Sequence, residues 1–247
     1  MKTVTSIFIL RLWQFCSNRF LKLFRPFFEL LQIDFLSKPY GAEKIEYHDN
    51  LLKYVNIKNG FFVELGGYDG FFHSPTYYLE KFKNWKGVLI EPHPKYYKRC
   101  VKNRSKSTVF NYACNNDIKN GSLILNSLNH SSYLEGTVQN DGFLQEALDG
   151  IYQKHSHYKV KVSNLTSILD SYFEAHTKVT IDLLVIDVEG TELAVLQGLD
   201  FSIYKPVAIL CECKNLVEKN IIEEYLLNFN YKLIDKISYQ DYLFKIS

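Results

Sequence analysis

The chain has 247 residues, of which 47% are hydrophobic and 15% aromatic, enough to bury a full core in one domain of ordinary to large size. Its 29 lysines and arginines nearly balance its 27 aspartates and glutamates, so a net charge of +2 gives no electrostatic footprint for nucleic acid. The composition therefore indicates a globular domain, and we expect no nucleic-acid partner.

Residues 1–36 differ in composition from the rest of the chain. They carry basic residues between many apolar and aromatic ones, and the first acid is Glu29. No apolar run approaches the ~20 residues of a membrane-spanning helix, and Arg11 interrupts the only stretch that resembles the core of a signal peptide. We predict a basic amphipathic helical extension over residues 1–40 that packs on the domain, because apolar stripes at helical spacing are usually buried. The alternative is peripheral contact with a membrane surface through residues 1–36.

From residue 41 to residue 247 the sequence alternates between strand-like and helix-like segments. Strands are predicted over residues 60–65, 87–91, 108–113, 181–187, 206–212, 231–237 and 242–246. Helices are predicted over residues 42–54, 76–82, 94–103, 165–174, 191–199 and 216–229. The continuous apolar run at 181–187 is typical of a strand buried on both faces. Alternating strands and helices with a final strand pair predict a doubly wound α/β sheet.

The stretch from 121 to 158 is the least regular part of the predicted domain. It contains four glycines and several serines and asparagines, with a short helix predicted near residues 143–151. A long irregular insert in a compact domain is usually functional or disordered. We therefore predict that this insert forms a lid or a substrate-recognition surface.

A glycine-rich turn follows the first predicted strand. Gly66, Gly67 and Gly70 allow positive φ and close approach of the backbone to a ligand. Glu91, at the end of the second predicted strand, is placed to accept two ribose hydroxyl hydrogens. The turn and the acid together predict a site for an adenosine-bearing cofactor.

The acids around this turn indicate which cofactor binds. The glycine spacing does not fit G-x-G-x-x-G, and Glu64 and Asp69 would repel a diphosphate. Both acids suit S-adenosylmethionine, which has no phosphate and carries a sulfonium and an ammonium group. The alternative is that Glu64 and Asp69 only cap or hydrogen-bond the turn.

Two segments of the chain carry longer motifs. Residues 63–94 contain V-E-L-G-G-Y-D-G, S-P-T-Y-Y-L-E-K and W-K-G-V-L-I-E-P-H-P, and residues 181–198 read I-D-L-L-V-I-D-V-E-G-T-E-L-A-V-L-Q-G. These segments resemble the FkbM-type methyltransferases, a family of class I S-adenosylmethionine-dependent enzymes. The family often has Asn where this chain has Pro75, and Ala where it has Gly67.

The resemblance implies both a fold and an activity. The implied fold is the class I methyltransferase Rossmann-like sheet of seven strands, the last one antiparallel. The implied activity is O-methyl transfer from S-adenosylmethionine to a hydroxyl of a sugar, a glycan or a related natural-product acceptor.

Candidate cofactor-binding residues lie at the predicted carboxyl ends of strands, where ligands bind in such sheets. Glu64 and the Gly66–Gly67 turn are assigned to the methionine end, and Glu91 to the ribose. The segment after the third strand resembles the adenine-contacting segment of the fold, with Asn115 preferred over Asp117. The full predicted set is Glu64, Gly66, Gly67, Asp69, Gly70, Glu91, Asn115, Asp117 and Asp187.

A sugar hydroxyl is a poor nucleophile, so we expect a general base or a metal ion in addition to in-line positioning. Asp187, at the end of the fourth strand, is expected to lie nearest the transferred methyl group. The other candidate bases are Glu189, Glu212 and His73. For Glu189 the alternative is charge stabilisation of the following helix N-terminus.

A divalent metal such as Mg²⁺ is a second hypothesis for activating the acceptor. Asp187, Glu212 and Asn215 would supply oxygen ligands of the kind that Mg²⁺ prefers. Spacing alone does not establish such a site, so no metal ligands are assigned.

The five cysteines are odd in number and lack zinc spacing. Cys211 and Cys213 lie two positions apart on a predicted strand and therefore point to one face, which disfavours a relaxed disulfide between them. A reducing, cytoplasmic location is expected, with the inner face of a membrane as the alternative site.

Two other functions stay open at this point, because a fold does not fix a function. One is a catalytically silent binding module that keeps the fold. The weaker one is a nicotinamide-dependent oxidoreductase, which Glu64 and the glycine spacing disfavour. The sequence does not give the oligomeric state.

Overall fold

The computed structural model describes residues 27, 30–31, 45–72, 74–117, 121–128, 131–135, 155–174 and 176–247. The extension predicted over residues 1–40 lies almost wholly outside these residues, as does the short helix predicted near residues 143–151. His73 is also outside them.

The described residues form the following elements. The strands are β1 (Phe61–Leu65), β2 (Lys86–Ile90), β3 (Ser107–Phe110), β4 (Ala113–Cys114), β5 (Ser122–Leu128), β6 (Ser131–Leu134), β7 (His155–Ser163), β8 (Leu183–Ile186), β9 (Ala208–Glu212), β10 (Tyr231–Lys236) and β11 (Asp241–Ile246). The helices are α1 (Ile45–Val55), α2 (Pro75–Phe82), α3 (Pro94–Asn103), α4 (Leu165–Glu174), α5 (Glu192–Gln197) and α6 (Leu216–Leu227).

Seven of the strands form the main sheet, in the order β10-β11-β9-β8-β1-β2-β3. β11 is antiparallel to both of its neighbours, whereas β9, β8, β1, β2 and β3 pair in parallel. The doubly wound sheet with an antiparallel last strand is therefore confirmed. The strand order reverses between β1 and β8, which makes the carboxyl ends of these two strands the switch point where ligands bind in open α/β sheets.

The buried central strands explain why the sheet forms where it does. All five residues of β1, including Glu64, and all four of β8 are buried. For β8 this burial was predicted from the continuous apolar run at 181–187. Val63 and Ile186 belong to the core cluster that includes residues of α4, α5 and α6, whereas Phe62 and Val185 belong to the cluster with α1 and α2. The sheet therefore has a hydrophobic layer on each face.

The first turn of a helix has backbone N–H groups without a partner in the helix, and three helices of this fold begin at residues that reduce this cost. Pro75 and Pro94 stand in the first turns of α2 and α3, where a missing N–H is tolerated. The Asn164 side chain accepts a hydrogen bond from the Ser167 N–H at 2.8 Å and so caps α4.

The second sheet corrects two predictions. Its order is β4-β7-β5-β6, and β5 pairs in antiparallel register with both β6 and β7. The predicted third strand is split, since Ser107–Phe110 joins the main sheet whereas Ala113–Cys114 pairs with β7. The described parts of 121–158 are strands rather than irregular chain.

The strands of the second sheet follow from an alternation of buried and exposed side chains, which is clearest in β7. In β7 the residues Val160 and Val162 are buried, whereas Lys159 and Lys161 are exposed. This alternation is the signature of a strand with one buried face. The glycines, serines and asparagines of residues 121–158 favoured the prediction of irregular chain.

Candidate functional site

A cavity of about 650 Å³ opens at the carboxyl edge of the main sheet. Its walls come from the ends of β1, β2, β8 and β9, from the turn before β11, from α1 and from the β5–β6 hairpin. This volume is within the range of small-molecule sites, which is ~300–1,000 Å³. The cavity thus lies at the switch point and is large enough for a nucleoside cofactor.

The turn after β1 is held closely against both neighbouring strands. Gly66 has a φ of +80°, and its N–H donates to the Ile90 carbonyl at 3.0 Å. A Cβ on Gly66 would stand 1.7 Å from the carbonyl oxygen of Asp187, so no other residue fits without moving the backbone. Gly66 lines the cavity, whereas Gly67 packs against Leu89 outside it.

Gly70 fits the same turn against α3. Its φ is +75°, and an added Cβ would stand 2.9 Å from the Cα of Cys100. Gly70 does not line the cavity. The structure therefore gives Gly70 a role in the shape of the turn.

The structure does not bring the Glu64 side chain to the cavity. Its carboxylate accepts hydrogen bonds from the hydroxyls of Ser74, at 2.9 Å, and Thr76. Arg104 lies 3.5 Å from the same oxygen. Side chains alternate along a strand, so Glu64 points to the opposite face from Val63 and Leu65. This placement gives the residue a supporting role beneath the turn, in place of the predicted contact with the methionine end.

Asp69 is also turned away from the cavity. It is 2% exposed, and its Oδ1 accepts the N–H groups of Phe71 at 3.1 Å and Phe72 at 2.8 Å. These contacts match the alternative in which the acid hydrogen-bonds the turn. Neither Glu64 nor Asp69 therefore supplies the negative charge of the cavity.

Glu91 lies at the tip of β2 and lines the cavity, as its predicted ribose-binding role requires. The residue is 5% exposed, and its Oε1 accepts the His93 N–H at 2.8 Å. Burial raises the pKa of Glu91 to about 8, although backbone hydrogen bonds oppose the shift. A buried carboxyl at this strand tip is placed to accept hydrogen bonds from ligand hydroxyls.

Three acids stand side by side at the ends of adjacent strands. In the sheet register Ile186 pairs with Cys211, and Glu212 pairs with Asp241. Asp187, Glu212 and Asp241 therefore occupy one row across β8, β9 and β11, and all three line the cavity. We call these three residues the carboxylate row.

Two members of the carboxylate row, Asp187 and Glu212, have raised pKa values. Burial and the charge of Glu212 raise the pKa of Asp187 well above its usual value. Burial and the charges of Glu189 and its acidic neighbours raise the pKa of Glu212 to about 8. Asp187 and Glu212 therefore hold protons more tightly than carboxyl groups in water do.

Asp241 is the member of the row that the sequence prediction missed. It precedes the last predicted strand, and only carboxyl ends of parallel strands were considered as sites. Because β11 runs antiparallel, its first residue lies at the same edge of the sheet as the last residues of β8 and β9. The predicted antiparallel last strand was the signal that could have identified it.

The β8–α5 turn holds Glu189 in a backbone conformation that is uncommon for this residue. Glu189 has a φ of +61°, lines the cavity and forms an ion pair with Lys214 at 3.3 Å. The turn is fixed by Glu192, which is 1% exposed and accepts the N–H groups of Val188 at 3.2 Å and Gly190 at 3.0 Å. Burial raises the pKa of Glu192 to about 7.

The predicted adenine-contacting residues hold their own loop. The Asn115 N–H donates to the Ser163 carbonyl at 3.1 Å, and the Asn115 Oδ1 accepts the Asp117 N–H at 3.0 Å. Neither residue lines the cavity, whereas the preceding Ala113 and Cys114 do.

The β5–β6 hairpin supplies a wall that the sequence did not resolve. Leu125, Ser132 and Leu134 line the cavity on this side. Leu125 and Leu134 also pack in a small core with Ala113 and Val160, which fixes the hairpin against β4 and β7. The described part of the predicted insert therefore borders the cavity, but whether it moves as a lid stays a prediction.

The magnesium hypothesis finds no support in this site. Among the residues that the structure describes, no group of three or more His, Cys, Asp or Glu side chains is arranged to hold a metal ion. The Asn215 Oδ1, the third proposed ligand, accepts the Glu218 N–H at 3.0 Å and caps α6. We therefore derive no step from a metal.

The strand order and the position of the cavity define a class I S-adenosylmethionine-dependent methyltransferase. Residues 64–233, more than half of the chain, match the family model described as Methyltransferase FkbM domain. The chain belongs to the FkbM methyltransferase family and is an S-adenosylmethionine-dependent methyltransferase. No curated protein matches it.

Solved structures with a similar fold are distant in sequence. A precorrin-6y C5,15-methyltransferase from Geobacter metallireducens is 12% identical, with 80% of this chain and 86% of that chain covered and a TM-score of 0.40. An O-methyltransferase from Bacillus cereus in complex with SAH is 11% identical, with 94% and 92% covered and a TM-score of 0.44. A TehB-like SAM-dependent methyltransferase from Corynebacterium glutamicum is 8% identical, with 94% and 100% covered and a TM-score of 0.43.

Within the described ranges, no helix has the length and apolar character needed to cross a bilayer.

Proposed function

We propose that this methyltransferase transfers the methyl group of S-adenosylmethionine to a hydroxyl of a sugar, a glycan or a related natural-product acceptor. The charge of the cavity supports the donor, and the likeness to FkbM-type methyltransferases supports the hydroxyl acceptor. Glu91, Asp187, Glu189, Glu212 and Asp241 line it, whereas no lysine, arginine or histidine among the described residues does. Acidic walls attract sulfonium and ammonium groups and repel a diphosphate, so they support this donor over a nicotinamide cofactor.

The parts of the donor have counterparts around the cavity. Glu91 would accept hydrogen bonds from the ribose hydroxyls, and the turn at Gly66 borders the methionine end. Cys114 and the apolar side chains of Leu125 and Leu134 offer contacts for the adenine. When bound, S-adenosylmethionine supplies an electrophilic methyl group on a positively charged sulfur. The acids that line the cavity fit this group by charge and by hydrogen-bonding capacity.

The acceptor side requires a group that takes the hydroxyl proton. Asp187 and Glu212 end adjacent strands and both line the cavity. A carboxyl group whose pKa is raised to about 8, as in Glu212, is matched to accept a proton near neutral pH. We infer that Asp187 and Glu212 share this role. Glu189, which pairs with Lys214, and His73, which lies outside the described residues, stay as predicted alternatives.

Methyl transfer from labelled donor into glycan, lipid and small-molecule fractions tests the proposed function. We expect label in a hydroxyl-rich fraction, and we expect Asp187→Asn to lower transfer strongly while S-adenosylhomocysteine affinity is retained. Asp235→Asn is the matched control, because Asp235 lies in β10 and bonds the Tyr54 hydroxyl at 2.9 Å, outside the cavity. Unchanged turnover in Asp187→Asn would contradict the assignment.

Calorimetry with S-adenosylhomocysteine, NAD and NADP tests the donor separately. Binding of the first alone supports the proposal, and binding of a nicotinamide dinucleotide in its place overturns it. Label found in no fraction, despite S-adenosylhomocysteine binding, would favour a silent binding module. A cytoplasmic location and membrane contact through residues 1–36 stay predictions.

A further inference from the structure

The carboxylate row concentrates ionisable groups where the donor's positive charge would lie. Asp187 directly follows Ile186, whose register partner Cys211 directly precedes Glu212 on β9, and Glu212 is in register with Asp241 on β11. The Glu212 Oε2 is buried, and no group among the described residues donates a hydrogen bond to it. Asp241 accepts a hydrogen bond from the Ser238 hydroxyl. The three carboxyl groups thus share one wall of the cavity.

The groups that face the row add mostly negative charge. Glu189 comes from the β8–α5 turn and Glu192 from the start of α5, and the charges of both help to raise the pKa of Glu212. Glu218 of α6 accepts the Lys214 N–H at 2.7 Å, and its charge acts on Glu192. A basic group beside these acids is Lys214, which pairs with Glu189 at 3.3 Å and does not line the cavity. A wall of this composition is stabilised either by bound protons or by a cation inside the cavity.

We propose that the carboxylate row exchanges protons for the positive charge of the donor: it releases a proton when S-adenosylmethionine binds and takes the acceptor's proton when the methyl group leaves. This inference rests on the proposed function. In the transfer, a bond forms between the acceptor oxygen and the methyl carbon. The carbon–sulfur bond breaks with its electron pair going to sulfur, and the hydroxyl proton goes to the row. The wall is therefore neutralised by sulfonium before transfer and by a proton after it.

If the row exchanges protons in this way, the protein should bind S-adenosylmethionine and S-adenosylhomocysteine with different affinity and different proton release. S-adenosylmethionine carries the sulfonium charge, whereas S-adenosylhomocysteine lacks the methyl group and has a neutral thioether; the adenosine and the amino acid end are the same in both. A proton must leave the row for the sulfonium to gain its full attraction, but not for the thioether. Any proton linked to Glu91, which faces the shared ribose, is common to both ligands and cancels in the comparison.

Isothermal titration calorimetry of the full chain tests the exchange without an acceptor. Each ligand is titrated at about pH 7 in two buffers of different ionisation enthalpy, which gives the number of protons released per ligand bound. We expect greater proton release with S-adenosylmethionine than with S-adenosylhomocysteine, and an affinity about tenfold higher for the former, which is the scale of one partly screened charge.

Glu212→Gln and Asp241→Asn are the informative variants, and Asp235→Asn on the same hairpin is the control. We expect either variant of the row to reduce the difference in proton release and to bring the two affinities together, whereas the control keeps both differences. Two variants on different strands are used because one could fail to fold, which thermal melting of each protein reports.

The outcomes separate the inference from the proposed function. Equal proton release for the two ligands in the wild type, or differences that persist in both folded variants, overturns the exchange and leaves the proposed function standing. Absence of binding of both ligands to the folded wild type overturns the proposed function and the exchange with it.

Discussion

The carbonyl oxygen of Asp187 lies against Gly66, where an added Cβ would stand only 1.7 Å away. The turn after β1 and the end of β8 are therefore built as one unit, since neither can shift without the other. This contact places the predicted methionine end next to the carboxylate row.

Gly66→Ala should consequently disturb both the fold and the site. The overlap is with backbone, and Gly66 has a φ of +80°, so we expect a loss of about 3 kcal/mol or more in the free energy of unfolding. Gly67→Ala is the matched control, because its Cβ would meet a Leu89 methyl group at 3.0 Å and a side chain can yield. Urea denaturation of the two variants measures the difference. Equal stability would contradict the contact.

Arg104 is a buried ion that supports the same turn from below. Its Nε bonds Glu80 at 2.9 Å, its Nη1 lies 3.5 Å from Glu64, and Nη1 also bonds the Gly70 carbonyl at 3.3 Å. Removing one partner of a buried ion cluster leaves uncompensated charge. Arg104→Met should therefore lower the free energy of unfolding by about 3–5 kcal/mol and weaken S-adenosylhomocysteine binding.

Two further variants decide whether charge or packing explains that loss. Lys102→Met, at an exposed position of α3 two residues before Arg104, should change stability little. Arg104→Met combined with Glu64→Gln and Glu80→Gln should recover part of the loss, because no ionised carboxylate is then left buried. A combined variant no more stable than Arg104→Met would point to packing alone.

The sequence predicted the acids at the strand ends of the cavity wall because these strand ends follow visible apolar runs. Glu91, Asp187 and Glu212 each close such a run, and all three line the cavity. The direction of Glu64 was harder to predict, since a lone acid in a buried strand is equally compatible with a ligand and with an internal cation. Its cation, Arg104, is 40 positions away and gave no local signal.

The hairpin wall and Asp241 depended on tertiary pairing. Leu125 and Leu134 reach the cavity because β5 pairs with both β6 and β7, and β7 is more than 25 positions further along the chain than β5. The pattern within each segment is too short to give that pairing. Asp241 required the pairing of β11 with β9; the predicted antiparallel last strand indicated the edge of the sheet at which Asp241 lies, but not this pairing.

Glu91→Gln should separate ligand binding from stability. The glutamine amide resembles the protonated acid in shape and can still accept the His93 N–H, so we expect a thermal midpoint close to that of the wild type. Loss of a charged acceptor for ribose hydroxyls should weaken S-adenosylhomocysteine binding about tenfold or more.

The pH profile of binding gives an independent check on Glu91. Its pKa is raised to about 8, so the ionised fraction grows from about pH 6 to about pH 9. Affinity of the wild type for S-adenosylhomocysteine should rise over this interval, whereas that of Glu91→Gln should stay nearly constant. Parallel profiles measured by calorimetry would assign the dependence to another group.

The buried acids also predict how the stability of the ligand-free protein depends on pH. The pKa of Glu212 is raised to about 8 and that of Glu192 to about 7, against an ordinary value of 4.5. Between about pH 4.5 and about pH 8 the native state therefore binds more protons than the unfolded state. Linkage then requires the free energy of unfolding to be largest at the acid end of this window and to fall as the pH rises through the native pKa values.

Urea denaturation at a series of pH values measures this slope, and Glu212→Gln should flatten it because glutamine does not titrate. Asp235→Asn on the β10–β11 hairpin is the control and should keep the slope of the wild type. A saturating concentration of S-adenosylmethionine should also flatten it, since the sulfonium compensates the ionised row. A free energy of unfolding that rises across the same interval would mean that these carboxyl groups are ionised and paired in the native state, and the proton exchange of the carboxylate row would lose its physical basis.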